Sequence, residues 1–200
     1  MDKQLIISIG REYASGGHEI AEELAKRFGI KLYDNSLLLH IAEKHGGNLD
    51  AIMKYDETRK VKILSRTVRG YNNSPEDMVS QLQFDYIREK AQEGESFVIV
   101  GRCAETVQKG HPALVSIFVL GDYEAKLKRV MSVLKLSEKE AKAQIKTMDK
   151  KRKSYHNYHC DLHWGDSRLY DLSINSSRLG IDGTVNVLEE YIKTRLNNEN

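Results

Sequence analysis

The sequence predicts an α/β protein built on a parallel sheet, and three observations carry that prediction. Five short apolar runs rich in β-branched or aromatic residues, Leu5 to Ile9, Lys31 to Tyr33, Phe97 to Val100, Val115 to Val119 and Tyr170 to Ile174, are separated by helical patterns. That alternation is the signature of repeated βαβ units. The first run opens through glycine-rich residues into a helix. The composition, 40% hydrophobic and 30% charged with 14 Gly and 2 Pro in 200 residues, is that of one folded domain and not of a low-complexity chain.

Each element has its own signal. After the first strand, Ile20, Leu24 and Phe28 recur every four positions with Ala21 and Ala25 beside them, and Gly29 stops the helix. Residues 48–95 carry helical signals and no strand pattern. Ser74-Pro75-Glu76-Asp77 starts a helix, Met78, Leu82 and Tyr86 form its stripe, and Gly94 ends it. Asp122 starts a helix bearing Leu127, Val130, Met131 and Leu134, and Ser137-Glu138-Lys139-Glu140 reads as a capping box that opens another. That second helix runs into the basic segment Lys146 to Lys153, which a following helix continues through Tyr155, His156, Tyr158 and His159. Val185, Leu188, Ile192 and Leu196 give the last helix an apolar face.

Charge bounds the function. Lys and Arg number 31 against 29 Asp and Glu, a net charge of +2, too near zero for the whole surface to bind nucleic acid or an acidic membrane. The basic run 146–153 lacks the interleaved aromatics of a nucleic-acid binder. The apolar run Leu5 to Ile9 is too short for a signal peptide or a membrane span, so a cytoplasmic location is expected. Cys103 and Cys160 are read as buried or inert thiols in a reducing compartment. His156, His159 and His163 with Cys160 resemble half of a zinc cluster, but no paired cluster stands elsewhere in the sequence, so no metal site is assigned.

The loop after the first strand, Gly10-Arg11-Glu12-Tyr13-Ala14-Ser15-Gly16-Gly17-His18-Glu19, stands where free amides of a helix start converge and the dipole is positive, a place suited to phosphate. The G-x-x-x-x-G-K-[ST] pattern is not met: Arg11 occupies the place of the first Gly and Gly17 that of the Lys. Arg11, the strong cation of this loop, is expected to reach the phosphates in place of the lysine; the alternative is a pairing with Glu12 or Glu19. His18 is the weaker substitute, because an imidazole is a weaker cation than a guanidinium. A side chain at Gly16 is expected to intrude on the ligand side and to block binding while leaving the fold intact. Arg102 follows the central strand directly, at the carboxyl end where ligands gather in open α/β sheets, and its fork of donors suits a phosphate; an ion pair with a neighbouring acid is the alternative. Asp34 follows the second strand and either serves the ligand or caps the helix starting near Ser36.

Together the run Ile9 to Ala21, Tyr33-Asp34, Val98 to Ala104, Trp164-Gly165-Asp166 and Tyr170 to Asn175 resembles the cytidylate kinase-like family of the P-loop nucleoside monophosphate kinase group, in order and over nearly the whole chain. The resemblance implies a three-layer P-loop fold with a five-stranded parallel sheet of order 2-3-1-4-5. It implies one domain over 1–200, with a core of 1–47, 95–135 and 165–196, a helical monophosphate-binding insertion of about 48–94 and a mobile lid of about 136–164. It also implies transfer of a phosphoryl group from ATP to CMP or dCMP with Mg²⁺. In that scheme Gly10 and Ser15 to Glu19 hold the donor phosphates, and Asp34 and Arg102 serve the acceptor. Asp149 and Arg152 match the lid's D-x-x-R pattern, with Arg152 and Arg129 neutralising the charge in transfer. His40 stands where such kinases carry a substrate arginine. A sensor that binds nucleotides without catalysis, or a kinase for another small acceptor, stays open, as does a homodimer.

Overall fold

The structure, a computed structural model, describes residues 3–45, 67–68, 71–72 and 74–198. Strands β1 (Ile6–Arg11) and β2 (Lys31–Tyr33) are joined by helix α1 (Gly17–Phe28), and α2 (Leu37–His45) follows. A two-residue antiparallel pair, β3 (Thr67–Val68) and β4 (Tyr71–Asn72), precedes α3 (Pro75–Gln92). The chain continues through β5 (Phe97–Val100), α4 (Ala104–Val107), β6 (Leu114–Leu120), α5 (Tyr123–Leu134), α6 (Glu138–His159), β7 (Leu172–Asn175) and α7 (Gly180–Asn198). The main sheet is five-stranded with the order β2-β5-β1-β6-β7. Every neighbouring pair in it is parallel. In order of appearance the sheet strands therefore run 2-3-1-4-5, as expected.

Alternation along the strands fills two cores. Ile7 and Ile9, Val98 and Val100, and Val115, Ile117 and Val119 face one side with Ile20 and Leu24 of α1 and Val185, Leu188 and Ile192 of α7. Ile6, Phe97, Ile99 and Leu114 face the other, against Leu37, Leu38 and Ile41 of α2 and Val79 and Ile87 of α3. A sheet covered on both faces explains why the runs read as near-continuous apolar stretches. Truncating a central side chain such as Ile117 to Ala costs about 2–5 kcal/mol. No helix among the described residues is long and apolar enough to cross a membrane.

Three local expectations are corrected. Residues 48–95 are not free of strand: β3 and β4 pair within them, too short to register as a period-2 pattern; residues 48–66 lie outside the described residues. The final strand begins at Leu172, because Tyr170 packs its ring on Phe118 at 5.0 Å instead. The basic segment is no break between two helices. Ser137 and Glu140 form the capping box, and α6 runs unbroken for 22 residues, with no Gly or Pro to stop it.

Candidate functional site

The carboxyl ends of β1, β2 and β5 open on a cleft of about 280 Å³ lined by Arg11, Gly16 to Glu19, Asp34, Arg129, Arg152 and the apolar edge of α5. Gly16 is left-handed (φ 80°) and caps α1, and the first helical bond runs from the Ile20 amide to the Gly16 carbonyl. The amides of residues 17–19 thus precede the helical ladder, as at any helix start. The hydroxyl of Ser15 is turned away, donating to the Glu12 carbonyl at 2.9 Å, and the Ser176 hydroxyl donates to the Ser15 carbonyl.

Glycines in this loop have different reasons to be glycine. A Cβ at Gly16 would lie 2.3 Å from Ile181 Cδ1 of α7, so the expected intrusion on the ligand side is corrected: a larger residue there disturbs packing first. At Gly10 it would meet Phe118 and Tyr170 at 2.9 and 3.1 Å, again packing. At Gly17 it would lie 2.6 Å from Arg11 Cβ and 3.1 Å from Arg11 Cγ. The stem of Arg11 therefore occupies the room that a side chain at the usual lysine position needs. Its guanidinium reaches Gly101, just past β5, where an added Cβ would sit 2.0 Å from Nη1.

The loop is tied to α6 by a charged knot. Lys126, buried on α5, donates to Glu12 Oε2 at 2.8 Å and lies 3.4 Å from Asp149 Oδ2. Asp149 Oδ1 accepts from the Tyr13 amide at 2.6 Å, and Glu12 Oε2 accepts from the Gly121 amide at 3.1 Å. One turn on, Arg152 donates to the Arg11 carbonyl at 3.3 Å and lies over the Tyr13 ring at 5.6 Å. The two residues of the D-x-x-R pattern thus divide, with Asp149 holding the loop and Arg152 bordering the cleft. Arg129 pairs with Glu19 at the rim. Sequence reasoning missed Lys126 and Glu12; a lysine at 126 on the same stripe as Leu127 and Val130 is the signal that marks it.

Asp34 stands just ahead of α2 and borders the cleft. Its Oδ1 accepts from the Ser36 amide at 2.8 Å while Oδ2 lies 3.7 Å from His18 Nε2. Burial would raise this carboxyl, but the Ser36 bonds and His18 outweigh it and hold the pKa below the ordinary value. His40 is exposed on α2, 3.9 Å from Glu43. Arg102 is 1% exposed and donates to Asn35 Oδ1 at 3.4 Å; Asn35 is a further partner the sequence did not announce. A small pocket of about 30 Å³ takes in Gly10, Arg11, Gly101, Arg102, Arg152, Tyr155, His156 and Trp164. Arg11 and Arg152 border both this pocket and the large cleft.

Behind the small pocket the thiols are not scattered. Cys103, the N-cap residue of α4, and Cys160, the C-cap residue of α6, meet beside Glu105 and His156. His156 Nε2 lies 2.8 Å from Glu105 Oε1, both side chains buried. The Cys103 thiol, together with His156, lowers the Cys160 pKa against the effect of burial. Burial alone would lower His156, yet Cys160 and Glu105 raise it. Cys103 is buried, as expected, and Cys160 is half-buried. His159 packs instead on Phe84 at 5.3 Å, and His163 is exposed.

Residues 6–178 match the profile of the cytidylate kinase-like family. Two curated relatives span nearly the full length. The cytidylate kinase of Methanopyrus kandleri is 24% identical, over 98% of this chain and 96% of its own. That of Pyrobaculum neutrophilum is 27% identical over 96% and 95%. An uncharacterized protein from Eubacterium ventriosum superposes with a TM-score of 0.75 at 38% identity, covering 95% of this chain and 99% of that one. Shikimate kinase from Bacteroides thetaiotaomicron, at 13% identity and a TM-score of 0.55 over 94% and 98% of the chains, shares the P-loop fold.

Proposed function

We propose, from the premise that the chain belongs to the cytidylate kinase-like family, that it transfers the γ-phosphoryl group of ATP to a pyrimidine nucleoside monophosphate, CMP or dCMP, with Mg²⁺. A kinase-type phosphotransferase follows from the family itself; the acceptor is the proposal. The observation that supports transfer between a donor cleft and an acceptor pocket is that Arg11 and Arg152 stand between the two cavities, bordering both, and the acceptor follows from the likeness to cytidylate kinases. A phosphoryl group in flight spreads charge over its equatorial oxygens, and positioned cations stabilise it.

In this reading the amides of residues 16–19 and the helix dipole hold the donor phosphates, and Val130, Val133 and Leu134 along the cleft face the donor base. Arg102 grips the acceptor's phosphate through its fork of donors. An oxygen of that phosphate bonds to the γ-phosphorus as the bond to the β–γ bridging oxygen breaks, and ADP leaves; the loose transition state needs no protein base. The residues present fit magnesium. The Asp34 carboxylate borders the cleft with its pKa held down, an oxygen donor of the kind this ion takes beside substrate phosphates. When bound, the ion supplies neutralisation of the phosphate charge. Because the small pocket holds about 30 Å³, room for only about two or three waters, acceptor binding requires α6 to move away from Arg102, which is the role of a lid.

An ADP-release assay over nucleoside monophosphates and other small phosphate or hydroxyl acceptors, with ATP and Mg²⁺, tests this. Turnover with CMP or dCMP above the other acceptors is expected. ATP binding without ADP release on any acceptor would overturn it in favour of a sensor.

A further inference from the structure

We propose that Cys103, Glu105 and Cys160 bind a zinc ion, with His156 positioning the Glu105 carboxylate from behind. The site lies on the wall of the small pocket, where Cys103, Glu105 and His156 stand beside Arg102, and it does not rest on which acceptor that pocket takes. One donor atom from each of the three residues lies within 4.8 Å of the other two. Zinc takes bonds of about 2.3 Å to sulfur and about 2.0–2.2 Å to oxygen, which puts tetrahedral donors about 3.5 Å apart; closing the triangle requires inward shifts of roughly 1 Å. Two sulfurs and a carboxylate are a donor set that suits zinc and poorly suits magnesium or calcium.

The surroundings match what such a site needs. Cys103 and Glu105 are buried and Cys160 is half-buried, so the ion would sit away from bulk solvent with room for one water molecule. His156 Nε2 lies at hydrogen-bonding distance, 2.8 Å, from Glu105 Oε1, the outer-shell arrangement that orients a metal-binding carboxylate. Its Nδ1 is buried with no hydrogen bond of good geometry. A histidine and glutamate that only stabilised the fold would have no need of two thiols at the same point. The sequence hides the site because its halves lie far apart along the chain, on different elements: Cys103 and Glu105 after β5, Cys160 at the end of α6. As each zinc–sulfur bond forms the thiol proton passes to water, and a fourth position is left for a water molecule. The bound ion pins only the C-terminal end of α6 to the turn that carries Arg102, so widening of the small pocket falls to the Arg152 side of the helix.

The full chain, reduced and stripped by a chelator, is titrated with Zn²⁺ by calorimetry and with Co²⁺ by absorption. One ion per chain is expected, with the near-ultraviolet charge-transfer band of a thiolate-bound cobalt. Cys160→Ser should remove that band, with circular dichroism of the metal-free protein unchanged; should this variant fail to fold, Glu105→Gln decides, keeping the band with weaker binding. His156→Gln should keep the band and weaken binding by about 10–100-fold, whereas His163→Ala, on the surface, should bind as the parent does. Absence of stoichiometric binding, a thiolate band that persists in a folded Cys160→Ser, binding unaffected by Glu105→Gln, or a Cys103–Cys160 disulfide that resists reductant would each overturn the site.

Discussion

The pairing of Arg11 with Gly17 is open to a double-mutant cycle. An ideal Cβ at Gly17 stands 2.6 Å from Arg11 Cβ, 3.1 Å from its Cγ and 3.5 Å from Val119 Cβ, whereas carbon atoms in favourable contact sit about 3.5–4.0 Å apart. Relief requires β1 and α1 to separate by about 1 Å, and both are packed into the same core. Overpacking of this size costs roughly 1–3 kcal/mol, so Gly17→Ala should be destabilised by that amount. Arg11→Gly removes both crowding atoms at a backbone cost of about 0.5–1 kcal/mol. In the double variant the penalty at 17 should largely vanish, leaving a coupling of about 1–2 kcal/mol in urea unfolding. The activity arm uses lysine. Gly17→Lys alone should lose both stability and turnover. Arg11→Gly/Gly17→Lys, which restores the G-x-x-x-x-G-K spacing, should turn over faster than Arg11→Gly. Arg11→Ala is a poor background for such rescue, because its Cβ keeps the 2.6 Å conflict. Additivity of the two single changes within about 0.5 kcal/mol would refute the steric exchange, and ATP turnover unaltered by Arg11→Gly would refute the cationic role.

Arg102→Ala should chiefly raise KM for the acceptor, while Arg152→Ala should chiefly lower kcat, since the one grips a ground-state phosphate and the other a charge that develops in transfer; identical defects in steady-state kinetics would contradict that division. Lys126→Met leaves Glu12 and Asp149 facing each other without their shared cation, and should cost about 2–3 kcal/mol in chemical denaturation, less than for a fully buried pair because both carboxylates keep some solvent; an unchanged midpoint would show that the knot does not hold the loop. Asp34 is held ionised in the folded state, so its contribution is present at neutral pH and above its unfolded pKa, and is lost as pH falls through the depressed folded value. The acid limb of parent stability should therefore be steeper than that of Asp34→Asn below about pH 4, and matching limbs would dismiss the carboxylate's share.

What the sequence could reveal depended on whether the signal was local. Ile6 to Ile9, Phe97 to Val100 and Leu114 to Val119 announce buried parallel strands because both faces of the sheet are covered, and the glycine-rich loop announces itself by standing between the first strand and α1. Arg102 and Asp34 are legible for the same reason, each lying just past a strand's carboxyl end. The meaning of Gly17 was not, since it is fixed by the stem of a residue on another element. Lys126 was missed because its neighbours Lys128 and Arg129 mask its place on the apolar stripe and make it read as part of a solvated face; its burial is set by Glu12 and Asp149, which approach from two other elements. The approach of Cys103 to Cys160 was not legible because the two thiols come from different elements far apart in sequence.

One strained turn links these observations. Gly101, Arg102 and Cys103 are all left-handed, with φ of 76°, 59° and 53°. Glycine adopts this freely, but each non-glycine residue there carries a penalty of about 1–3 kcal/mol and persists only where its surroundings fix it. Gly101 is needed at the first position for a second reason, the Arg11 guanidinium lying where its side chain would be. The next two positions keep bulky, strained residues. The turn sends the Arg102 side chain into the small pocket bordered by Arg11 and Arg152, and brings Cys103 to Cys160 at the end of α6. Relaxing either residue to ordinary helical or extended backbone would redirect both. The strain is therefore accounted for by two tasks met at one bend: a cation set at the carboxyl edge of the sheet, and a thiol set against the helix that closes over it.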